Sequence, residues 1–443
     1  MTMALFDQNH APLGHPLWWD DVIWPTPTGD LPARADLVVV GAGHTGLSAA
    51  IAAHDAGAHV VVIDAGVPGQ GASTRNGGMV GAHPRLSWAD LSTTYGEDTT
   101  ADLFAEAEPA LQFVRDLIER EKIDCDFTQC GRIQMAWTPA HFESKKQLAR
   151  LLQEKSGSNV QVVNRADLTK HVGTGQYFGG LLFPDHGALH PQKYHSGLLR
   201  AVLARGIAVV PNCPATAITQ YNVTTPQGHI TTKRMVLATN GYTPDHQTWF
   251  RHRIFALPSY IIATQELPRD VIGAIAPGGH TMVETRARHS YFRISPCGKR
   301  ILWGGRAAMV NIDLRRAARR LHATMCDVWP SMRDVKLTHV WSGNTGYSFT
   351  HMPHVGLRGH MAYAMGFSGS GTVMAPYLGA KAAYLALGDA RAKTAYQHTH
   401  LKRHALHPTH QPLFLHAANF WYHNWVDRME TWKAKQAHKG WQR

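Results

Sequence analysis

Apolar positions change period twice early in the chain, and each change marks an element. Leu37 to Val40 is a run of four apolar, mostly β-branched residues, which fits a short strand buried on both faces as in a parallel sheet. LSAAIAAHDAG, Leu47 to Gly57, is an alanine-rich helical run closed by glycine, and HVVVID is a second apolar strand ending at Asp64. Between the first strand and the helix stand Gly41, Gly43 and Gly46 in the spacing G-x-G-x-x-G, with His44 and Thr45 inside it. The first glycine permits a tight turn, the second lets backbone approach a pyrophosphate, and the third lets helix and strand pack closely. The positive end of the helix then faces the phosphates. Asp64, 18 residues beyond Gly46, stands where a carboxylate accepts from ribose hydroxyls. Glycine spacing alone is weak in a chain with 40 glycines. The order strand, turn, helix, strand, acid is what separates a dinucleotide site from an ordinary βαβ unit.

Further along, Leu103 to Lys122 reads as one amphipathic helix, CDFTQCGRIQMAW as two short strands around Gly131, and HFESKKQLARLLQEKSG as another helix. Without parallel-strand signals, residues 91–185 are expected to form part of a separate antiparallel unit. Gly187 to Val210 then predicts a helix from Pro191 to about Arg205 and a strand, and Met235 to Ala238 a buried strand leading into Thr239, Asn240 and Gly241. Alternation along Leu257–Leu267 puts Tyr260 and Ile262 on one face. His289 to Arg306 predicts a hairpin turning at Gly298, with Tyr291 and Arg293 sharing a face. Tyr260, Tyr291 and Arg293 are the catalytic candidates, with cross-strand packing as the competing role for the hairpin pair. Asp313 to Trp329 reads as a helix. Met361 to Leu387 is a short strand, a turn holding Gly366, Ser368, Gly369, Ser370, Gly371 and Thr372, and an alanine-rich helix.

Length adds that 443 residues suit two domains rather than one. A 44% hydrophobic content is ordinary, and no apolar run reaches the roughly 18 residues that cross a membrane. The first residues lack the basic start and apolar block of a signal peptide. Five scattered cysteines (125, 130, 213, 297 and 326) without CxxC or zinc spacing predict free thiols in a reducing cytoplasm and no metal. The net charge of +12 is spread along the chain, which favours a solvated basic surface over a nucleic-acid partner. Residues 1–35 alternate Trp18, Trp19 and Trp24 with Pro25, Pro27 and Pro32, an extended lead expected to lay its tryptophans on the body. From about Pro412 the tail is aromatic and increasingly basic. Covering the body is the expected role, with contact to an anionic membrane as the alternative.

Pro68 to Gly81, PGQGASTRNGGMVG, packs Ala72, Ser73, Thr74, Arg75, Asn76, Gly77 and Gly78 into one donor-rich loop. That loop resembles the "GASxRNGG" segment of the D-amino-acid oxidase superfamily of FAD-dependent amine oxidoreductases, as do VVVGAGHTGLSAA, KRMVLATNGYTP, LPSYIIATQEL and GFSGSG. The resemblance implies an α/β fold of glutathione reductase/DAO type. Its Rossmann-like FAD domain is built from residues 36–90, 186–250 and 335–400, and its second domain of antiparallel sheet plus helices from 91–185 and 251–334. The lead and a helical tail, 401–443, complete the chain. It also implies FAD, held noncovalently because the family's covalent attachment residues have no counterpart. The glycine turns, the 72–78 loop, Asp64 and Thr239–Gly241 are then cofactor-binding, with the helix after Gly371 near the flavin, where its N-terminus stabilises negative charge.

Members that grip a free α-carboxylate carry an arginine near Thr345, and a neutral threonine cannot form that bidentate pair. A simple α-amino acid is therefore disfavoured relative to an amine or amide-bearing substrate such as gamma-glutamylputrescine. The implied chemistry is hydride transfer from the carbon beside nitrogen to flavin N5, then hydrolysis of the imine to an aldehyde or keto product. The acceptor would be oxygen or another oxidant. The alternative is a flavin dehydrogenase of an N-substituted or D-amino acid that feeds a membrane quinone. Arg75, Tyr260, Tyr291 and His44 are the residues expected near the reacting end, His44 more on the cofactor side.

Overall fold

The computed structural model describes residues 5–20, 22–27, 29–405, 407 and 412–441; the first four residues of the lead and the last two of the tail lie outside these. Five apolar strands form the parallel core. The sheet order is His354–Arg358, Met361–Met365, Arg234–Leu237, Leu37–Val40, Val60–Ile63, Ala208–Val210. All neighbours run parallel except His354–Arg358, which is antiparallel to Met361–Met365 at the edge. Leu37 to Val40 is buried at every position, as a central strand covered on both faces must be. Helices His44–Asp55, Pro191–Ala204 and Gly371–Leu387 cover one face and share a core with Leu37 and Val39.

An eight-stranded sheet forms the second layer system, in the order Leu337–Ser348, Ile254–Thr264, Ile301–Gly305, Ser290–Ile294, Thr281–Glu284, Arg132–Met135, Gly179–Phe183, Gln161–Asn164. The predicted hairpin is present, with Ser290–Ile294 antiparallel to Ile301–Gly305. Helix Leu314–Val328 packs behind this sheet, and its N-terminus is capped by Asp313, whose side chain accepts from the Arg316 N–H.

Three expectations need correction. The return to the first domain does not begin at 335, because Leu337–Ser348 pairs antiparallel along its length with Ile254–Thr264 in the eight-stranded sheet, which is antiparallel except where Thr281–Glu284 runs parallel to Arg132–Met135. Re-entry comes at His354. The helix expected over 103–122 is two helices, Glu97–Ala105 and Ala107–Arg120. Pro109 lacks the N–H that would bond the Ala105 carbonyl, so the ladder breaks there. Both helices bury Leu103, Leu111 and Val114 in the core of the parallel-sheet domain, so 91–120 packs on the first domain. Finally, of the two strands expected around Gly131 only Arg132–Met135 is a strand, and Thr128 makes a single bridge to Ala188.

The lead and tail both lie on the body. Trp18 is 1% exposed, and Phe414 and Leu415 pack with Phe255 and Tyr347. Among the described residues the five cysteines are free, no helix is long and apolar enough to cross a membrane, and no cluster of His, Cys, Asp or Glu is arranged to hold a metal.

Candidate functional site

A cavity of about 1010 Å³ lies where the two sheets meet, and the glycine turns from opposite ends of the sequence both open into it. At the first turn Gly41 has φ +106, a conformation that L side chains rarely adopt. A Cβ on Gly43 would sit 2.8 Å from Ser73 Oγ, and one on Gly46 would overlap the Gly41 carbonyl. The turn is therefore closed against the neighbouring loop: the His44 N–H donates to Ser73 Oγ at 3.0 Å. Asp64 accepts from the Ala42 N–H at 2.7 Å and the Gly66 N–H at 2.9 Å. Burial raises its carboxyl above the usual range while those two N–H bonds oppose the rise.

The 72–78 loop is held from outside by tryptophans. Trp18 Nε1 donates to the Asn76 carbonyl at 2.8 Å, Trp19 Nε1 to Thr74 Oγ1 at 2.9 Å, and Trp341 Nε1 to the Arg75 carbonyl at 2.9 Å. The lead thus positions this loop as well as covering it. Trp18→Phe removes one buried hydrogen bond of about 1 kcal/mol and is expected to weaken cofactor retention roughly fivefold, read by equilibrium dialysis. Unchanged retention would mean that the loop holds its shape without the lead.

At the far turn Asn240 (φ 43) accepts from the Gly366 N–H at 2.9 Å, tying the Thr239–Gly241 segment to the closing turn. Ser368 (φ 49) and Gly369 (φ 98) then bend the chain into helix Gly371–Leu387. Neither that helix nor His44–Asp55 has a side-chain cap at its N-terminus, and both begin at the cavity wall.

Beyond the turns, a strip of cations from four separate elements lines the cavity: Arg85, Arg132, Lys145 and Arg306. Arg85 Nη1 donates to the Ser368 carbonyl at 2.7 Å, and its Nη2 meets His289 Nε2 at 3.2 Å. Arg306 donates to the Tyr347 hydroxyl. Lys145 donates to Gln134 Oε1 at 2.7 Å. None of the four pairs with a carboxylate among the described residues, and Arg132 Nε is buried without a partner. Glu284, the one carboxylate on this part of the wall among the described residues, is taken by Arg286, the Ser290 N–H and the Tyr177 hydroxyl.

The electrostatics follow from this excess. Burial, then Arg85, pulls Arg132 down to about 10; burial, then Arg132, pulls Lys145 down to about 8. His289 is held well below 6.5 by burial and by Arg85 and Arg306, so it stays neutral. Burial pushes Tyr291 up to about 12, its hydroxyl sharing a 2.8 Å hydrogen bond with Ser259 Oγ. For Tyr347 burial acts upward, but Arg85 and Arg306 outweigh it and lower the phenol.

Most of the residues singled out in the sequence meet here. Gly41, Gly43, His44, Thr45, Asp64, Ala72, Ser73, Arg75, Asn76, Gly77, Thr239, Asn240, Gly369, Ser370, Gly371, Thr372 and Tyr291 line the cavity. Gly46, Thr74, Gly78, Gly241, Gly366 and Ser368 stand behind the wall and shape it; Thr74 Oγ1, for example, donates to the Gly69 carbonyl at 2.7 Å.

Three placements differ from expectation, those of Tyr260, Arg293 and Arg75. Tyr260 faces away from the cavity, into the core behind the sheet, where its hydroxyl donates to the Val310 carbonyl and accepts from the Ile312 N–H. Arg293 does share a face with Tyr291, but its Nη1 is spent on the Leu189 and Gly78 carbonyls at 2.8 and 3.2 Å, clamping the loop. Arg75 donates to the Gln70, Gly14 and Ser342 carbonyls and stacks on Trp19, so its charge is already occupied. The His44 ring packs against Tyr194 at 4.9 Å and is kept neutral by burial, down to about 3.

Arg85, Arg132, Lys145, Arg306, Tyr347, His289 and Ser259 carried no signal in the sequence that singled them out, with one exception. Tyr347 lies two positions from Thr345 on the same strand, so the period-2 rule placed it on the same face. Thr345 does line the cavity, and Arg85 and Arg306, which line it too, both reach the Tyr347 hydroxyl two residues along the same strand. The neutral residue at 345 therefore does not leave the site without a carboxylate partner, and that argument against α-amino acids loses its force.

A family model described as "FAD dependent oxidoreductase" (DAO) matches residues 36–385. The chain is 30% identical over 362 residues to a probable oxidoreductase OrdL of Rhizobium meliloti (strain 1021), covering 80% of this chain and 83% of that one. It is 28% identical over 375 residues to the gamma-glutamylputrescine oxidoreductase of Escherichia coli (strain K12), covering 82% and 85%. Glycine oxidase from Geobacillus kaustophilus superposes with a TM-score of 0.68 at 17% identity, over 84% of this chain and 100% of that one. L-amino acid deaminase from Proteus vulgaris superposes with 0.67 at 16%, over 86% and 100%. These two likenesses are of fold.

Proposed function

Because the chain belongs to the DAO family of FAD-dependent oxidoreductases, we propose that it oxidises an amine at the carbon beside nitrogen, and that this amine carries a carboxylate remote from that carbon, as in gamma-glutamylputrescine. The observation that carries this reading is the strip of four cations without a carboxylate partner among the described residues. Cations that line a cavity without a carboxylate partner are open to an anionic ligand through charge-assisted hydrogen bonds. The strip runs from Arg85, against the closing turn, to Lys145 on helix Pro139–Ser156, a reach that suits an extended molecule better than a small α-amino acid. The gamma-glutamylputrescine oxidoreductase relative supports the same substrate class.

The residues present fit FAD. Two helix N-termini without side-chain caps open into one cavity, and glycines at 41, 43 and 369 let the backbone of both turns close on Ala238, Ser73 and Arg85 where a Cβ would press against them. Ser73, Asn76, Thr239, Ser370 and the backbone of both turns would hold it noncovalently, with Asp64 toward the ribose. When bound, FAD supplies a two-electron acceptor that takes hydride from the carbon beside nitrogen, leaving an imine for water to hydrolyse.

The protein's own part is binding and protonation state. Arg85 and Arg306 hold the carboxylate end by charge-assisted hydrogen bonds. The same positive wall disfavours an ammonium, so the amine binds unprotonated, the form whose lone pair assists hydride loss. Tyr291 stays a phenol and donates, and neutral His289 orients Arg85 without taking a proton. The rise of kcat/KM with pH therefore belongs to the amine. In His289→Asn the rising limb between about pH 6 and 9 is expected to keep its position; a limb that disappears would make His289 the base.

Release of ammonia and of the carbonyl product, an aldehyde or keto acid, from gamma-glutamylputrescine, putrescine, glycine and D-alanine tests the reading. Turnover is expected for the first compound, with putrescine far poorer. Equal or better turnover of putrescine would overturn it.

A further inference from the structure

The C-terminal helix runs from Phe414–Trp421 through a π-helical turn, Tyr422–Val426, into Asp427–Trp441. Its two sides differ sharply. On the inner side Phe414, Leu415, Ala418 and Tyr422 pack with Phe255 and Tyr347, and Ala434 is buried in the core behind the antiparallel sheet. Both acids of the helix also turn inward: Asp427 pairs with Arg288, and Glu430 accepts from the Ala287 N–H at 2.9 Å.

On the outer side Phe420, Trp421, Trp425, Met429 and Trp432 are 70%, 55%, 58%, 40% and 57% exposed. Positions 421, 425, 429 and 432 follow the helical repeat and form one stripe. Trp421 and Trp425 stack on each other at 5.9 Å. Arg428, Lys433, Lys435 and Lys439 are exposed around that stripe. An aromatic patch of this size on a soluble face marks a contact surface, and here every charge left facing outward along the helix from Lys or Arg is uncompensated by its two inward acids.

We propose that this helix seats the protein on an anionic lipid surface, with the indole rings at headgroup level and the cations against lipid phosphates. Indoles, apolar in body with one N–H donor, suit that depth, and a helix with aromatic residues and cations on one side lies in the interface plane. A second copy of the chain would fit the stripe poorly, because a two-fold contact sets the same four cations against themselves. The net charge of +12 acts in the same direction at long range. This proposal stands apart from the choice of substrate.

Cosedimentation of the FAD-loaded protein with vesicles tests it, using phosphatidylcholine alone or phosphatidylcholine mixed with phosphatidylglycerol. Binding is expected to the mixed vesicles, to weaken with added salt, and to be slight on phosphatidylcholine. Each cation near an anionic surface contributes roughly fivefold, so the triple variant Arg428→Gln, Lys435→Gln, Lys439→Gln should partition on the order of 10²-fold more weakly. Trp421→Ser with Trp425→Ser and Trp432→Ser should likewise release the protein, while flavin content stays that of the parent and reports intact folding. Absence of binding to the mixed vesicles, or equal binding to both lipids, overturns the proposal. Self-association in sedimentation velocity that the tryptophan variant abolishes also overturns it and assigns the stripe to a second copy.

Discussion

Gly46→Val is expected to yield protein that loses its FAD during purification. Helix His44–Asp55 crosses the first strand so closely at this residue that a Cβ would overlap the Gly41 carbonyl and press on Val39. Backbone cannot rotate away as a long side chain would, so helix and turn must part, at a cost above the ~1–3 kcal/mol of ordinary overpacking. Parting them moves the N–H groups of the turn and the Asp64 brace together. Gly379→Val should do the same from the other side, since its Cβ would overlap the Thr45 carbonyl where helix Gly371–Leu387 lies on the first helix. Gly57→Ala is the control. It has a positive φ of +89 but nothing within 4 Å, so strain of ~1–2 kcal/mol is its whole effect and the flavin should stay. Flavin absorbance per chain after gel filtration reads all three. Full flavin in Gly46→Val would show that the first turn does not shape the site.

The second large effect concerns substrate affinity. Arg306→Met removes one of the cations proposed to bind the carboxylate, and truncating one partner of a buried charge pair costs ~2–5 kcal/mol. For gamma-glutamylputrescine this should appear as a rise in KM of about 10²-fold with kcat changed much less, the pattern for binding lost equally from ground and transition states. Putrescine, with no carboxylate to lose, should respond little. A matching loss with both amines would place Arg306 in general support of the fold, through its bond to the Tyr347 hydroxyl.

How far the sequence reached depended on whether a feature is local. Strand, turn and helix around Gly41–Gly46 are set by neighbours in the chain, and their lengths and order were legible. So was the hairpin around Gly298. Period-2 alternation did correctly pair Tyr260 with Ile262, but it says which residues share a face and not which face meets the cavity. Here both faces of the strand Ile254–Thr264 are buried, Ile262 in one core and Ile261 in another, so polarity gave no hint. The Pro109 break was legible and was outweighed by amphipathic spacing on either side. The cation strip was beyond reach for another reason: Arg85 comes from a loop, Arg132 from a strand, Arg306 from the residue after strand Ile301–Gly305, and Lys145 from a helix. Only the fold brings them together.

Anaerobic mixing of the FAD-loaded protein with gamma-glutamylputrescine, followed by the yellow flavin absorbance, tests most directly whether one cavity joins the two glycine turns to a cation-lined amine site. Rapid bleaching is expected, and it should slow steeply at limiting concentrations in Arg306→Met but not when putrescine is the reductant. Flavin that stays yellow with gamma-glutamylputrescine yet bleaches with putrescine, or with small α-amino acids alone, would contradict the account.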